Sequence, residues 1–112
     1  MKLVVAVIKP FKLDDVKKAL LAMDVHGITV TDVRGFGRQR GHTEVYRGTE
    51  YQIDFVPKTR VEILTSDDQA DTVAAVVSEK ARTGKIGDGK VWVLPVDSVQ
   101  RIRTGELGED AL

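Results

Sequence analysis

Apolar side chains recur along this chain in two periods, and the changes of period divide it into elements. Residues 3–8 are apolar without a break and rich in valine, and the run closes at Lys9-Pro10. A short β-branched run of this kind predicts a strand over residues 2–9 with apolar side chains on both faces. Over residues 13–23 the period lengthens. Leu13, Val16, Leu20 and Met23 share one side of a helix, while Asp14, Asp15, Lys17 and Lys18 face water. The two aspartates occupy the first turn, where the helix dipole favours negative charge. Gly27, just after His26, is the expected stop. Residues 28–35 alternate loosely and predict a second strand; residues 60–64 alternate again and predict a third. Ser66 with Gln69 three positions later makes a capping-box pattern. The helix it opens has Ala70, Val73, Ala74, Val77 and Ala81 on one face and ends near Arg82. Residues 90–96, which include Trp92, form a fourth strand apolar on both faces. Residues 98–103 are compatible with a short extra strand, and the acidic tail from Gly105 is expected to be mobile.

Strand–helix–strand, twice over, is the split βαβ or ferredoxin-like order. It predicts an α+β domain over residues 1–112: a four-stranded antiparallel sheet with two helices on one face. The first and fourth strands carry apolar side chains for both faces, yet two helices cover only one. An open sheet face of Val, Leu and Trp exceeds what soluble monomers tolerate. A closed, symmetric oligomer is therefore expected to bury it.

Between the second and third strands lies a polar stretch, residues 35–57, punctuated by Gly35, Gly37, Gly41 and Gly48. It far exceeds the roughly 4–6 residues that usually join elements, and loops of that length are commonly functional. It reads as the outsized tip of a hairpin. His42 and Glu44 sit on it as solvated loop residues. Tyr46 and Tyr51 are more unusual, since a polar loop gains little from exposed phenols.

Charge and composition narrow the function. Lys plus Arg and Asp plus Glu both number 17, so the chain is neutral. A general nucleic-acid binder is normally basic. The absence of cysteine excludes disulfides, thiolate metal sites and a cysteine nucleophile. No apolar run reaches the ~20 residues of a membrane span, and the chain is expected to be soluble and cytoplasmic. His26 lacks a partner at metal-ligand spacing.

Two stretches suggest anion chemistry. Thr83-Gly84-Lys85-Ile86-Gly87-Asp88-Gly89-Lys90 approaches a phosphate-binding P-loop, but Val91 replaces the Ser/Thr and the order runs helix to strand, the reverse of a true P-loop. Its glycines still let backbone N–H groups turn toward an anion, with Lys90 at the rim; a plain tight turn remains open. Arg101 and Arg103, two apart, point to one side of an extended segment and offer planar donor forks suited to phosphate. Arg38 and Lys58 flank the long loop.

These residues resemble a known family. Tyr46-Arg47-Gly48-Thr49-Glu50-Tyr51, the stretch from Thr83 to Val96 with Gly87-Asp88-Gly89-Lys90-Val91-Trp92-Val93, and the opening from Lys2 to Val16 are similar to the T-loop, B-loop and N-terminus of the PII nitrogen-regulatory signal proteins of the GlnB/GlnK type. Thr49 stands where Ala or Ser is usual, and Trp92 where Phe is common. The resemblance implies a homotrimer with ATP or ADP in each cleft between subunits. The T-loop would span about residues 37–55, the B-loop 83–90 and the C-terminal segment 98–112. Gly87, Asp88, Gly89 and Lys90 would cradle phosphates, Arg101 and Arg103 would reach them, and Arg38 would clamp from the loop's base. Thr29 and Leu64 would line the adenine pocket, with Val7, Gly35, Phe36, Gly37 and Glu62 in the same site. Gln39 would be a ligand of Mg2+ bound with ATP, and Lys58 would pair with a carboxylate of 2-oxoglutarate. Tyr51 would be the nucleotidylylated tyrosine. The implied partners are an ammonium channel, a nucleotidylyltransferase, glutamine-synthetase-modifying enzymes or an arginine-pathway kinase, with membrane contact only through the channel. No catalysis is implied beyond a slow ATPase.

Overall fold

In the computed structural model, which describes residues 1–37, 43–46, 49–52 and 55–112, four strands and two helices follow the expected order, and two further short strands lie within the long stretch. The elements are β1 (Lys2–Ile8), α1 (Leu13–Ala22), β2 (Thr29–Gly35), β3 (Thr43–Tyr46), β4 (Thr49–Gln52), β5 (Val56–Thr65), α2 (Asp67–Ala81) and β6 (Gly89–Pro95). Four of the strands make one antiparallel sheet in the order β2-β5-β1-β6, with the helices on one face. This is the ferredoxin-like arrangement.

The core follows from the alternation of the strands. Val4, Ala6 and Ile8 of β1 and Val61 and Ile63 of β5 point toward the helices. There they meet Val16 and Leu20 of α1 and Ala70, Val73, Val77 and Ala81 of α2, all buried. Each fully buried Val, Leu or Ile contributes roughly 1.5–3 kcal/mol. The register places Leu3, Val5 and Val7 on the other face, beside Leu64, Glu62 and Arg60 of β5 and Leu94, Trp92 and Lys90 of β6. Among the described residues neither α1 nor α2 covers that face. Val5 is fully buried between its strand neighbours, but Leu64 and Leu94 remain 44% exposed.

Several local expectations change. The third strand begins at Val56, four residues before the alternation at 60–64 suggested. β1 stops opposite Thr59, so β5 has a single neighbour, β2, at Pro57. A residue without an N–H fits where only one ladder is present. Helix α1 stops before Gly27: Asp24 takes the left-handed conformation (φ 66°) and the Val25 N–H bonds the Leu20 carbonyl at 3.0 Å. The capping box does not form. Ser66 is the N-cap without a side-chain bond, and its carbonyl accepts the Gln69 N–H at 3.2 Å. The N-terminal ammonium instead reaches Asp67 at 2.8 Å.

The long stretch contains a ladder of its own. β3 and β4 pair antiparallel, with Glu44 opposite Tyr51 and Val45 opposite Glu50. Thr and Tyr occur in both strands and Val in β3, which suits a pleated backbone. At the other end of the chain, residues 98–103 do not form a strand. A lone bridge joins Gln100 to Leu107, and residues 102–104 turn. The tail is tied down as well: the Arg101 N–H bonds the Glu106 carbonyl at 2.9 Å, the Gly108 N–H bonds the Val99 carbonyl at 3.0 Å, and Gly108–Ala111 closes in a 3-10 turn.

Candidate ligand-binding site

The segment joining α2 to β6 is shaped by one carboxylate. Asp88 accepts the N–H groups of Thr83 and Gly84, each at 2.8 Å, together with the Thr83 hydroxyl. The Lys9 ammonium stands 3.3 Å from the same carboxylate and donates to Thr83 Oγ1 at 3.2 Å. The Thr83 hydroxyl also accepts the Lys85 N–H at 3.2 Å. The Thr83 hydroxyl above all, then the two backbone N–H groups and Lys9, hold Asp88 far below the usual carboxylate range against the opposing effect of burial. A loop that satisfies its own amides in this way keeps its shape without a regular ladder.

Glycine is required where this loop rejoins the sheet. Gly89 has φ 96°, and a Cβ there would lie 1.7 Å from the Val7 carbonyl oxygen. Lys58 approaches from β5 and donates from Nζ to the Gly87 carbonyl. Burial pushes its ammonium below the usual lysine range, and repulsion from Lys9 adds to this; Asp88 acts in the opposite sense.

Two cavities divide the residues that the sequence singled out. The first, about 870 Å³, is lined by Val7, Gly35, Phe36, Gly37, Lys58, the loop from Gly84 to Lys90 and Trp92. It therefore joins the root of the long stretch to the glycine loop. The second, about 970 Å³, includes Thr29, Glu62 and Leu64, with Leu3, His26 and Leu112. Between them Arg60 donates from Nε to Glu62 at 2.8 Å and lies over the Trp92 ring at 5.8 Å. His26 bonds Asp24 at 2.7 Å.

The arginine pair is not placed as an extended segment would place it. Arg101 holds Glu106 at 2.9 Å and the Leu112 carbonyl at 3.1 Å, and Arg103 is exposed within the turn at 102–104. Neither lines either cavity. Arg38, Gln39 and His42 lie outside the described residues, and Tyr51 stands in β4. Among the described residues no cluster of three or more His, Asp or Glu is set to hold a metal. Sequence reasoning missed Lys9 and the internal role of Asp88. The first depends on the β1–β6 register, which pairs Ile8 with Gly89 and so brings Lys9 beside Asp88; the second on bonds within the loop, to Thr83 and Gly84.

The arrangement suits binding. Glycine backbone bare of side chains, Lys58 and Lys90 suit an anion, and the Asp88 carboxylate is turned into its own loop. Comparison with known proteins agrees with the motifs. The family model described as "Nitrogen regulatory protein P-II" matches residues 1–106. A nitrogen regulatory protein P-II of Pasteurella multocida is 57% identical over all 112 residues, covering all of both chains. The nitrogen regulatory protein GlnK of Escherichia coli is 55% identical over the same span, again covering both chains fully. The crystal structure of Arabidopsis thaliana PII bound to citrate superposes with a TM-score of 0.81 at 42% identity, covering 99% of this chain and 91% of that one.

Proposed function

The chain belongs to the nitrogen regulatory protein P-II family, and from that premise we propose that it senses ATP or ADP together with 2-oxoglutarate and reports the result through the stretch between β2 and β5. Its family is one of regulators, not enzymes. One observation carries the reading: the root of that stretch, Lys58 and the glycine loop share a single cavity. A ligand there touches both the anion cradle and the segment that partners would read. The citrate on the Arabidopsis thaliana relative supports a small carboxylate as one ligand class.

In this reading the protein is a homotrimer. The uncovered sheet face is the surface to be buried, and neighbouring copies complete each site. Gly87, Gly89 and Lys90 receive the phosphates, while Asp88 contributes by shaping the loop. Thr29, Glu62 and Leu64 lie in a separate cavity and hold the adenine of a nucleotide that spans two copies. Arg101 and Arg103 reach the phosphates from a neighbouring copy. Gln39 and Arg38 act from the root of the stretch, Gln39 on a Mg2+ that arrives with ATP. That ion neutralises phosphate charge and offers oxygen-ligand positions to the oxoacid. Lys58 leaves the Gly87 carbonyl to pair with a carboxylate of 2-oxoglutarate.

The response is a shift of population. Each ligand moves the stretch only by its differential affinity for the available conformations. Tyr51, opposite Glu44 in the β3–β4 ladder, is the modified tyrosine. An ammonium channel, a nucleotidylyltransferase, a glutamine-synthetase-modifying enzyme or an arginine-pathway kinase is the reader, in the cytoplasm. Isothermal calorimetry of 2-oxoglutarate with and without Mg-ATP tests the reading. Binding that appears only with Mg-ATP is expected; equal affinity in both conditions would sink the sensor mechanism.

A further inference from the structure

Lys9 belongs to neither cavity, yet its ammonium joins the polar contacts behind the glycine loop. It follows the last β1 residue paired with β6, and its side chain is 13% exposed. Its ammonium reaches the Thr83 hydroxyl at 3.2 Å and the Asp88 carboxylate at 3.3 Å. These two groups also bond each other, and Asp88 holds the N–H groups of Thr83 and Gly84. These five contacts join the end of β1 to both ends of the loop, and three of them close a ring of Lys9, Thr83 and Asp88.

We infer that Lys9 is a positioning residue for the anion cradle: it orients Thr83 and Asp88 so that Gly87 to Lys90 keep the shape that faces the cavity. The inference rests on the nucleotide reading above. Two physical effects support it. An oriented ammonium fixes the rotamers of both partners, because each is hydrogen-bonded on more than one side. It also balances a carboxylate placed in the loop that is to receive phosphates, where an uncompensated negative charge opposes a polyanion. The hydrophobic core does not include Lys9, so its loss acts on the loop and leaves the helix-covered face intact.

The test uses Lys9→Met, which keeps the length and removes the charge, and Lys9→Arg, which restores it. ATP and ADP affinities are measured by calorimetry, and amide exchange is followed by NMR at Thr83 and Gly84 and in β1 and β5. The expected result for Lys9→Met is roughly tenfold weaker nucleotide binding, equivalent to about 1.4 kcal/mol. Faster exchange should be confined to Thr83 and Gly84, with substantial recovery in Lys9→Arg. Unchanged affinity and exchange overturn the inference, and so does exchange that rises across β1 and β5 as well, which marks a general structural role. Should Lys9→Met not fold, Thr83→Val decides. It removes the hydroxyl between Lys9 and Asp88 without changing any charge, and it should show the same local pattern at smaller amplitude; no change at either readout refutes the inference. If the wild-type protein binds neither nucleotide, the functional reading fails on its own. Exchange at Thr83 and Gly84 in Lys9→Met then judges the positioning role: local acceleration upholds it and none overturns it.

Discussion

The two faces of the sheet are built from the same strands and do different work. On the helix-covered face β5 offers Thr59, Val61 and Ile63, all buried; on the other it offers Lys58, Arg60, Glu62 and Leu64. Period-two alternation therefore separates the residues that hold the fold from those on the face that no helix covers. One face is complete within a single chain. The other keeps half-exposed Leu64 and Leu94, an Arg60–Glu62 pair and the approach to the glycine loop. Stability and recognition can thus be altered separately, and substitutions on the two faces should differ in kind.

The largest effect should come from the covered face. Ile63→Ala removes a fully buried side chain from the shared core of sheet and helices, and should cost about 4 kcal/mol. Leu94→Ala on the open face should cost about 1 kcal/mol or less within the chain and should instead weaken self-association. Urea unfolding at fixed protein concentration, paired with sedimentation, separates the two outcomes. Equal unfolding costs would erase the distinction between the faces.

Gly89 is the joint between them, and Gly89→Ala comes next. A methyl group cannot sit 1.7 Å from the Val7 carbonyl oxygen, so β6 must shift away from β1. The left-handed backbone adds its own strain, and a total on the order of 3 kcal/mol is expected. Gly84→Ala is the control. It has a positive φ of 83° but no atom within 4 Å of the added Cβ, and should cost only about 1 kcal/mol. Comparable losses in both variants would mean that backbone strain, and not the close approach to β1, makes glycine necessary at position 89.

Lys58→Met should have the opposite sign. Burial lowers the pKa of Lys58, with repulsion from Lys9 adding to it, so the folded chain disfavours the charged form relative to the unfolded one. A group shifted this way costs stability while it is charged, and the cost fades as pH rises through its depressed value. Removing the ammonium should raise ligand-free stability slightly, by about 0.5 kcal/mol once the lost bond to the Gly87 carbonyl is offset. If the proposed function holds, the same variant should also lose 2-oxoglutarate binding. A lower thermal midpoint in Lys58→Met would show that its bond to the loop outweighs its desolvation.

The covered face was the more legible in the sequence. Apolar periodicity alone located four strands and two helices, because burial on one side of each element imposes it. It under-read β5 at Pro57 and Lys58, where a proline and a charge sit in a strand with one neighbour. It also missed the β3–β4 ladder, whose strands of four residues each are too short for a period to register. The stop of α1 was read at Gly27, although Asp24 supplies the left-handed turn. In the site, Gly87, Gly89 and Lys90 announced themselves by residue type. Lys9 did not, because a lysine at a strand end is ordinary until the register sets it against Asp88. The paired reading of Arg101 and Arg103 assumed an extended backbone, and the chain turns after Arg101.

The smallest predicted effect is also the most diagnostic, because it separates charge from packing. The folded pKa of Asp88 is depressed chiefly by the Thr83 hydroxyl, then by the N–H groups of Thr83 and Gly84 and by Lys9. Its contribution is therefore fully present above the unfolded carboxyl value, about 4, and is lost as pH falls toward the lower folded value. Asp88→Asn keeps the shape of the side chain and lacks that titration. The stability gap between wild type and Asp88→Asn, taken from urea midpoints, should stay constant from pH 7 to pH 5 and narrow below about pH 4. The gap for Ile63→Ala should be much less sensitive over the same range, since no charge is removed from the covered face. A constant Asp88→Asn gap down to pH 3 would mean that the loop is held by the shape of this side chain and not by its charge.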